Sequence, residues 1–203
     1  MDVTVCIGTF GDEAWADLAV ERAIPSVDTL GVPWVHHHGV TLHAARNGAL
    51  TDVRTEWVIH LDADDELEAG YIDALDQGSC DLRAPAVRYL QDGRAAREPY
   101  VPRVAGHHHD CTADCLPEGN WLVVGTAVRA DLVRQVGGWR DWAVYEDWDL
   151  WLRCWQAGAT VEAIPQAVYR AHVRADSRNR APSIREKNQV HHAIVEANLG
   201  AAA

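Results

Sequence analysis

Three short apolar runs alternate with three helix-like stretches in the first 75 residues, and this rhythm restricts the chain to few architectures. Residues 3–8 (VTVCIG) are a β-branched run closed by glycine, which predicts a buried strand. Helical spacing in Trp15, Leu18, Ala19 and Ala23 follows, with Pro25 ending or kinking the helix. A second strand is expected at 32–35, a helix at 42–51, a third strand at 57–61 (WVIHL) and a helix over 68–75. Such alternation builds an α/β fold around a parallel sheet, and these sheets bind ligands at the C-terminal ends of their strands. The third run stops at Asp62-Ala63-Asp64-Asp65, so an acidic cluster stands at that edge. Beyond it a strand is expected at 84–90, a long loop over 91–120, a return to the sheet at 121–128 and a short helix at 130–136. Trp148, Trp151, Leu152 and Trp155 fall at i, i+3, i+4 and i+7, the apolar stripe of a further helix.

The 203 residues suit one domain with a sizeable core. It divides into about 1–75, 76–170 and 171–203, the last a basic tail or helix. A net charge of −12 argues against a protein held mainly by nucleic-acid phosphates or anionic lipid. The exception is local: Arg170, Arg174, Arg178, Arg180, Arg185 and Lys187 face only Asp176 and Glu186 in that stretch. No run qualifies as a transmembrane helix and no signal peptide is visible. Five scattered cysteines suit free thiols in a reducing compartment, so a cytoplasmic enzyme is the default expectation.

Asp62 and Asp64, one residue apart after an apolar strand, suit a hard divalent cation held against a diphosphate. The plain alternative is a solvated turn capping the next helix. Tyr145-Glu146-Asp147 opens the Trp-rich helix. A carboxylate there is either a cap favoured by the helix dipole or a general base. Asp147 lies four residues from Trp151, hence toward the body of the protein, whereas Asp149 is expected to face water. His172, in a loop, is a plausible third ligand beside carboxylates.

Together, "VCIGTFG", "AARNGAL", "WVIHLDADDELEAGYIDAL", "GGWRDWAVYEDWDLWLRCWQAGA" and "YRAHVRADS" resemble, in order and placement, the family 2 glycosyltransferases. The resemblance spans roughly residues 2–178 and implies a nucleotide-binding half at about 1–75 and an acceptor half at about 76–170. It implies a GT-A-like Rossmann-type three-layer sandwich with a mainly parallel central sheet, in a compact version. It also implies an inverting transfer from a nucleoside-diphosphate sugar to an acceptor hydroxyl, with Mn²⁺ or Mg²⁺ as cofactor. Asp64 would bind the metal, Asp62 the ribose or metal, and His172 would complete the shell. Thr9 and Phe10 match the segment holding the nucleotide, and Arg46 and Asn47 the motif closing over it. Gly125 matches the glycine loop near the sugar, and Asp147 the catalytic base, with Glu146 beside it. Arg170, Arg174 or Arg178 would add charge to the leaving diphosphate, on a tail that closes over the donor. The acceptor (glycan, protein, lipid or modified nucleic acid) is not readable.

The chain departs from the family where the second strand usually ends in Asp-Asp-x-Ser. His36-His37-His38 stand there instead, as hydrogen-bonding or stacking substitutes or as a surface turn. Of the nine tryptophans, Trp139 and Trp142 flank the loop before Glu146, where an acceptor would lie, while the helical ones belong to the core. His107-His108-His109-Asp110-Cys111-Thr112-Ala113-Asp114-Cys115 offers ligand types that suit zinc, but lacks a separated second pair. Two other readings stand beside glycosyl transfer. A non-catalytic zinc-stabilised module would be built on that segment. A nucleotidyltransferase would need a basic triphosphate loop, which "GTFGDEAW" does not supply.

Overall fold

The computed structural model describes residues 1–95, 97–174 and 182–200. One mixed sheet of eight strands organises them. β1 (Val3–Phe10) lies between β2 (Trp34–Gly39) and β3 (Trp57–Leu61), parallel to both. Every residue of β3 and all but the last of β1 are buried, as continuous apolar runs in a two-sided parallel sheet require. Beyond β3 come β7 (Ala127–Arg129), then β5 (Leu82–Gln91), β8 (Val161–His172) and the short β4 (Glu66–Leu67). β6 (Arg94–Ala95) hairpins onto β5. The β3–β7, β7–β5 and β8–β4 ladders are antiparallel; the β5–β8 ladder is parallel and long, and shifts register after Pro85. Pro85 and nearby Pro165 have no N–H for a ladder bond, which accounts for the irregularity.

The first helical stretch is continuous from 14 to 28 but changes pitch: α1 (Ala14–Leu18), a π-helical turn (Ala19–Ala23) and α2 (Ile24–Asp28). Pro25 sits where the helix resumes, so the widened turn accommodates its missing N–H without breaking the rod. α3 (Leu42–Asp52) packs on β1 and β2, capped by Thr41, whose Oγ1 accepts from the Ala44 N–H at 3.3 Å. α4 (Tyr71–Asp76) packs on β8, and α5 (Ala130–Gln135) follows β7. α6 (Glu146–Gln156) carries Trp148 and Trp151 fully into the core.

Several expectations change. The second strand is 34–39, so the three histidines are strand residues on the sheet edge rather than a surface turn. Of the expected return at 121–128, only 127–129 pairs in the sheet. His172 ends the longest strand and not a loop, because β8 gains a full parallel partner in β5. Of the two alternatives for the C-terminal segment, tail or helix, residues 184–199 form a helix: α7 (Ile184–Leu199), opened by a Ser183/Glu186 capping box, packs on α6. Ile194 is fully buried there, and His191 stacks on Trp148 at 4.6 Å. Asp149 therefore does not face water: at 0% exposure it takes Arg153 Nη2 at 2.7 Å, Asn198 Nδ2 at 2.9 Å and Arg140 Nη1 at 3.3 Å. Among the described residues no helix is long and apolar enough to cross a membrane.

Candidate active site

The order β2-β1-β3 makes β1 and β3 the point where successive connections leave in opposite directions. In open α/β sheets the binding crevice forms at such a switch point, beyond the C-terminal strand ends. A groove of about 820 Å³ lies there. Thr9 and Phe10 enter it from β1, Asp62 to Asp65 from the turn after β3, and Leu122 to Val124 from the stretch before β7. Tyr145 to Asp147 enter from the start of α6, and His172 to Arg174 from the end of β8.

Arg46 ties the two acidic clusters together. Only 2% exposed, it donates from Nη2 to Asp62 Oδ1 at 2.7 Å and from Nη1 to Glu146 Oε1 at 2.9 Å. Burial opposes its charge, but these two carboxylates outweigh burial and raise its pKa above the ordinary value. Its guanidinium lies 4.2 Å above the Trp139 ring, whose Nε1 donates to His60 Nε2 at 3.1 Å. His60 is buried beside a cation, so its pKa falls well below the usual range and the ring stays a neutral acceptor. Trp139 is thus 2% exposed and supports Arg46 from below; the expected acceptor contact is corrected. Trp142 packs against the core and does not line the groove either.

Asp147 does face the groove. Its Oδ2 accepts from Asn120 Nδ2 at 2.9 Å and its Oδ1 from its neighbour's backbone, Trp148 N–H, at 2.8 Å. Burial, with Glu146 beside it, pushes its pKa up to about 6. The carboxylate is therefore held in one orientation, and ready to accept a proton near neutral pH. Tyr145, immediately before, has φ 62°, a left-handed conformation uncommon for a residue with a side chain. That backbone reversal aims Glu146 at Arg46 while Asp147 stays on the groove.

The three aspartates of the acidic turn have separate environments. Asp62 takes Arg46, as above. Asp64 is pushed up to about 6 by burial and by the charge of Asp62, with Arg174 Nε 3.9 Å away. Asp65 is buried and accepts from Tyr169 O–H and His172 N–H, each at 2.7 Å; burial and its two acidic neighbours raise its pKa well above the usual carboxylate range. Oxygen donors of this kind, crowded and under-compensated, fit a hard divalent cation at Asp64 and Asp62. The His172 ring reaches the groove, but its Nε2 lies 2.6 Å from Glu66 Oε2. That carboxylate engages Nε2 and leaves Nδ1 as the ring nitrogen a metal would use.

Other expected residues have different posts. Thr9 Oγ1 lies 2.8 Å from His36 Nε2 and 3.0 Å from His38 Nδ1, so two of the three histidines hold the β1 end by hydrogen bonds. The third, His37, pairs with Asp52 at 2.8 Å. Asn47 does not close over the groove. Its Nδ2 donates to Trp139 C=O at 2.9 Å and its Oδ1 accepts from Trp139 N–H at 2.8 Å, clamping the Gly137–Gly138 turn. Arg170 is engaged by Glu66 (3.3 Å) and Glu68 (3.9 Å) below the groove, whereas Arg174 and Lys187 line it. Arg178 lies outside the described residues.

Gly125 is buried behind the groove instead of on it. Its carbonyl accepts from Tyr71 O–H at 2.7 Å, and a Cβ there would come within 2.3 Å of Tyr169 Cδ2. Tyr169 is itself tied to Asp65, so it has no room to yield. Gly125→Ala is expected to lower stability by about 1–3 kcal/mol, readable as a fall in the denaturant midpoint; a shift under half of the lower figure would show that the Tyr169 ring gives way.

Glu66, Asp65, Tyr169 and His60 lie within the quoted motifs but were given no site role there, and Asn120 lies outside all of them. Their only further sequence signal is adjacency to an acidic turn or an apolar strand end.

Residues 57–181 match the profile of glycosyl transferase family group 2, and the chain belongs to that family. It is a glycosyltransferase, with the GT-A-like α/β fold that the sequence resemblance implies. That assignment sets aside the nucleotidyltransferase and the non-catalytic module. The fold is similar to residues 1–349 of TarS from S. aureus in complex with UDP-GlcNAc: TM-score 0.69 at 15% identity, over all of this chain and 68% of that one. The same segment crystallised with UDP gives 0.60 at 13% identity, over 67% of its length. A longer TarS chain gives 0.58 at 15%, of which this chain spans 40%. No curated protein matches the sequence.

Proposed function

We propose that the chain is a metal-dependent inverting glycosyltransferase, moving a sugar from a nucleoside-diphosphate sugar to an acceptor hydroxyl with Asp147 as general base. The observation that carries this reading is one groove with two kinds of carboxylate on it. Asp62 and Asp64 stand at the switch point where a nucleotide diphosphate would lie, and Asp147 lines the same groove, half-buried and oriented. The UDP-GlcNAc and UDP complexes of the similar TarS fold support a nucleotide-sugar donor.

In this reading Thr9 and Phe10 flank the nucleotide at the β1 end, and Arg174 and Lys187 bring positive charge to the diphosphate. Asp64 and Asp62 would hold Mn²⁺ or Mg²⁺, which when bound supplies neutralisation of charge on the leaving diphosphate. Asp147 takes the proton of the acceptor hydroxyl as its oxygen bonds to the anomeric carbon. The bond from that carbon to the diphosphate oxygen breaks on the opposite face, and the configuration inverts. Arg46 fixes the distance between the donor and base halves by bonding one carboxylate of each.

Thermal melting with UDP, GDP, CDP, dTDP and ADP, each with Mn²⁺ and with EDTA, tests the donor site. One nucleotide at 100 times its Kd should stabilise the fold by about 2.7 kcal/mol, or roughly 5–10 °C in Tm. The shift should need Mn²⁺ and vanish in Asp64→Ala. Melting curves indifferent to every nucleotide would remove the donor assignment.

A further inference from the structure

The loop between β6 and β7 carries a cluster that glycosyl transfer does not use. His107 Nδ1 and the Sγ atoms of Cys111 and Cys115 all lie within 4.8 Å of one another, on one helical-like spacing of four. Among the described residues this is the group of histidine, cysteine and acidic side chains placed closely enough to share a metal ion. We propose that His107, Cys111 and Cys115 bind a zinc ion that clips the acceptor-side loop against the catalytic helix.

Four features favour zinc over a pair of idle thiols. First, tetrahedral zinc with bonds of about 2.3 Å to sulfur and 2.0–2.1 Å to nitrogen puts neighbouring donor atoms roughly 3.5–3.8 Å apart. Cys111 Sγ and His107 Nδ1 are already 3.8 Å apart. Second, the His107 ring is oriented from behind: Nε2 lies 3.1 Å from Glu118 Oε2. With the proton held on Nε2, the Nδ1 lone pair points at the sulfurs, the carboxylate–histidine arrangement that supports zinc ligands. Third, each sulfur is held in place by a backbone N–H at 3.4 Å, Val104 to Cys111 and Thr112 to Cys115. Fourth, both cysteines are free and buried to 9% exposure or less, in a loop whose other residues, Val104 and Leu116 apart, are half-buried or exposed. The fourth tetrahedral position would be left to water.

The clip has an identifiable mechanical consequence. Thr112 C=O accepts from Trp121 Nε1 at 3.1 Å, and Leu116 C=O accepts from Trp148 Nε1 at 2.8 Å, so the metal-binding turn is fastened to the core at both ends. Asn120, four residues on, is the side chain that orients Asp147. Zinc would therefore order the segment that presents Asn120. Only this last consequence rests on the proposed general base; zinc binding itself does not.

The test is metal content and spectroscopy on the untagged full chain, kept reduced and passed through gel filtration after incubation with zinc. One zinc per chain is expected in the parent and in Asp64→Ala, and none in Cys111→Ser or His107→Ala. Replacing zinc by Co²⁺ in the unmutated chain should produce a thiolate-to-cobalt charge-transfer band, which a carboxylate site cannot give and which needs no variant to fold. Glu118→Ala alters one exposed side chain and should weaken zinc affinity roughly 10- to 100-fold. The proposal is overturned if the cobalt protein lacks the thiolate band, if Cys111→Ser keeps its zinc, or if Cys111 and Cys115 form a disulfide under the reducing conditions used. Since none of these readings involves a nucleotide, failure here leaves the donor-site experiment untouched, and the reverse also holds.

Discussion

Arg46→Ala should be the most damaging single substitution to the fold. The side chain is 2% exposed and is the cation between Asp62 and Glu146, which come from opposite halves of the site. Removing one partner from a buried ion pair leaves uncompensated charge, at a typical cost of about 3–5 kcal/mol. For a chain of this size that is a Tm lower by on the order of 10 °C. Trp139 also loses the guanidinium stacked on it. Lysine should not rescue, because a single ammonium cannot present two N–H groups to two carboxylates 100 and 16 residues away along the chain. Arg46→Met combined with Glu146→Gln removes one of the stranded charges and should recover part of the loss. Scanning calorimetry of the three variants decides the matter: a loss under 1 kcal/mol in Arg46→Ala would mean that water reaches the pair and that Arg46 does not brace the site.

Asp147→Asn should abolish turnover while leaving the fold and the donor site intact. A positioned general base contributes roughly 100- to 10,000-fold, so kcat should fall by that factor. The nucleotide-dependent rise in Tm should persist, since Asp147 lies across the groove from the acidic turn. The pH dependence gives an independent check. Asp147 and Asp64 are both pushed up to about 6, Asp147 by burial and then Glu146, Asp64 by burial and then Asp62. Both need to be ionised, so the rate should fall as pH drops through about 6. The linked stability has the opposite sense. A carboxyl whose pKa rises from 3.8 to about 6 on folding prefers its protonated form when folded. Its contribution is therefore greatest at low pH and declines as pH rises through that window. The asparagine variant, neutral throughout, should match or exceed the parent in Tm above pH 6. A variant retaining more than a tenth of the parental rate, or losing its nucleotide response, would take the role of base from Asp147.

The two experiments are linked. Arg46 helps hold the Asp147 pKa down against burial and Glu146. A folded variant lacking Arg46 should therefore show its acidic limb of activity displaced to higher pH.

The parts of this protein that its sequence determined alone are those written in local periodicity. β3 is found at 57–61 as the apolar run ending in Asp62-Ala63-Asp64-Asp65 demands, and the tryptophan stripe at 148–155 forms α6. Parallel strands buried on both faces read as unbroken apolar runs, so the strand ends, and with them the acidic edge of the site, are visible without a structure. The Glu146-Asp147 pair was visible for the same reason, as the opening of a strongly patterned helix.

What tertiary structure decided is which of the conspicuous polar and aromatic side chains the fold keeps for itself. Asn47 and Trp139 hold each other, Arg170 serves Glu66 and Glu68, and Asp149 is enclosed by Arg153, Arg140 and Asn198. Gly125 makes room for Tyr169. The bonds that define the site join residues about 100 apart in sequence: Arg46 to Glu146, Tyr169 to Asp65, His172 to Glu66. Pairing at that separation leaves no repeating pattern along the chain, because each partner is chosen by the sheet order and not by its neighbours. β8 escaped notice on the same ground: its twelve residues, nine of them exposed or intermediate and one of them proline, become a strand only because β5 lies alongside.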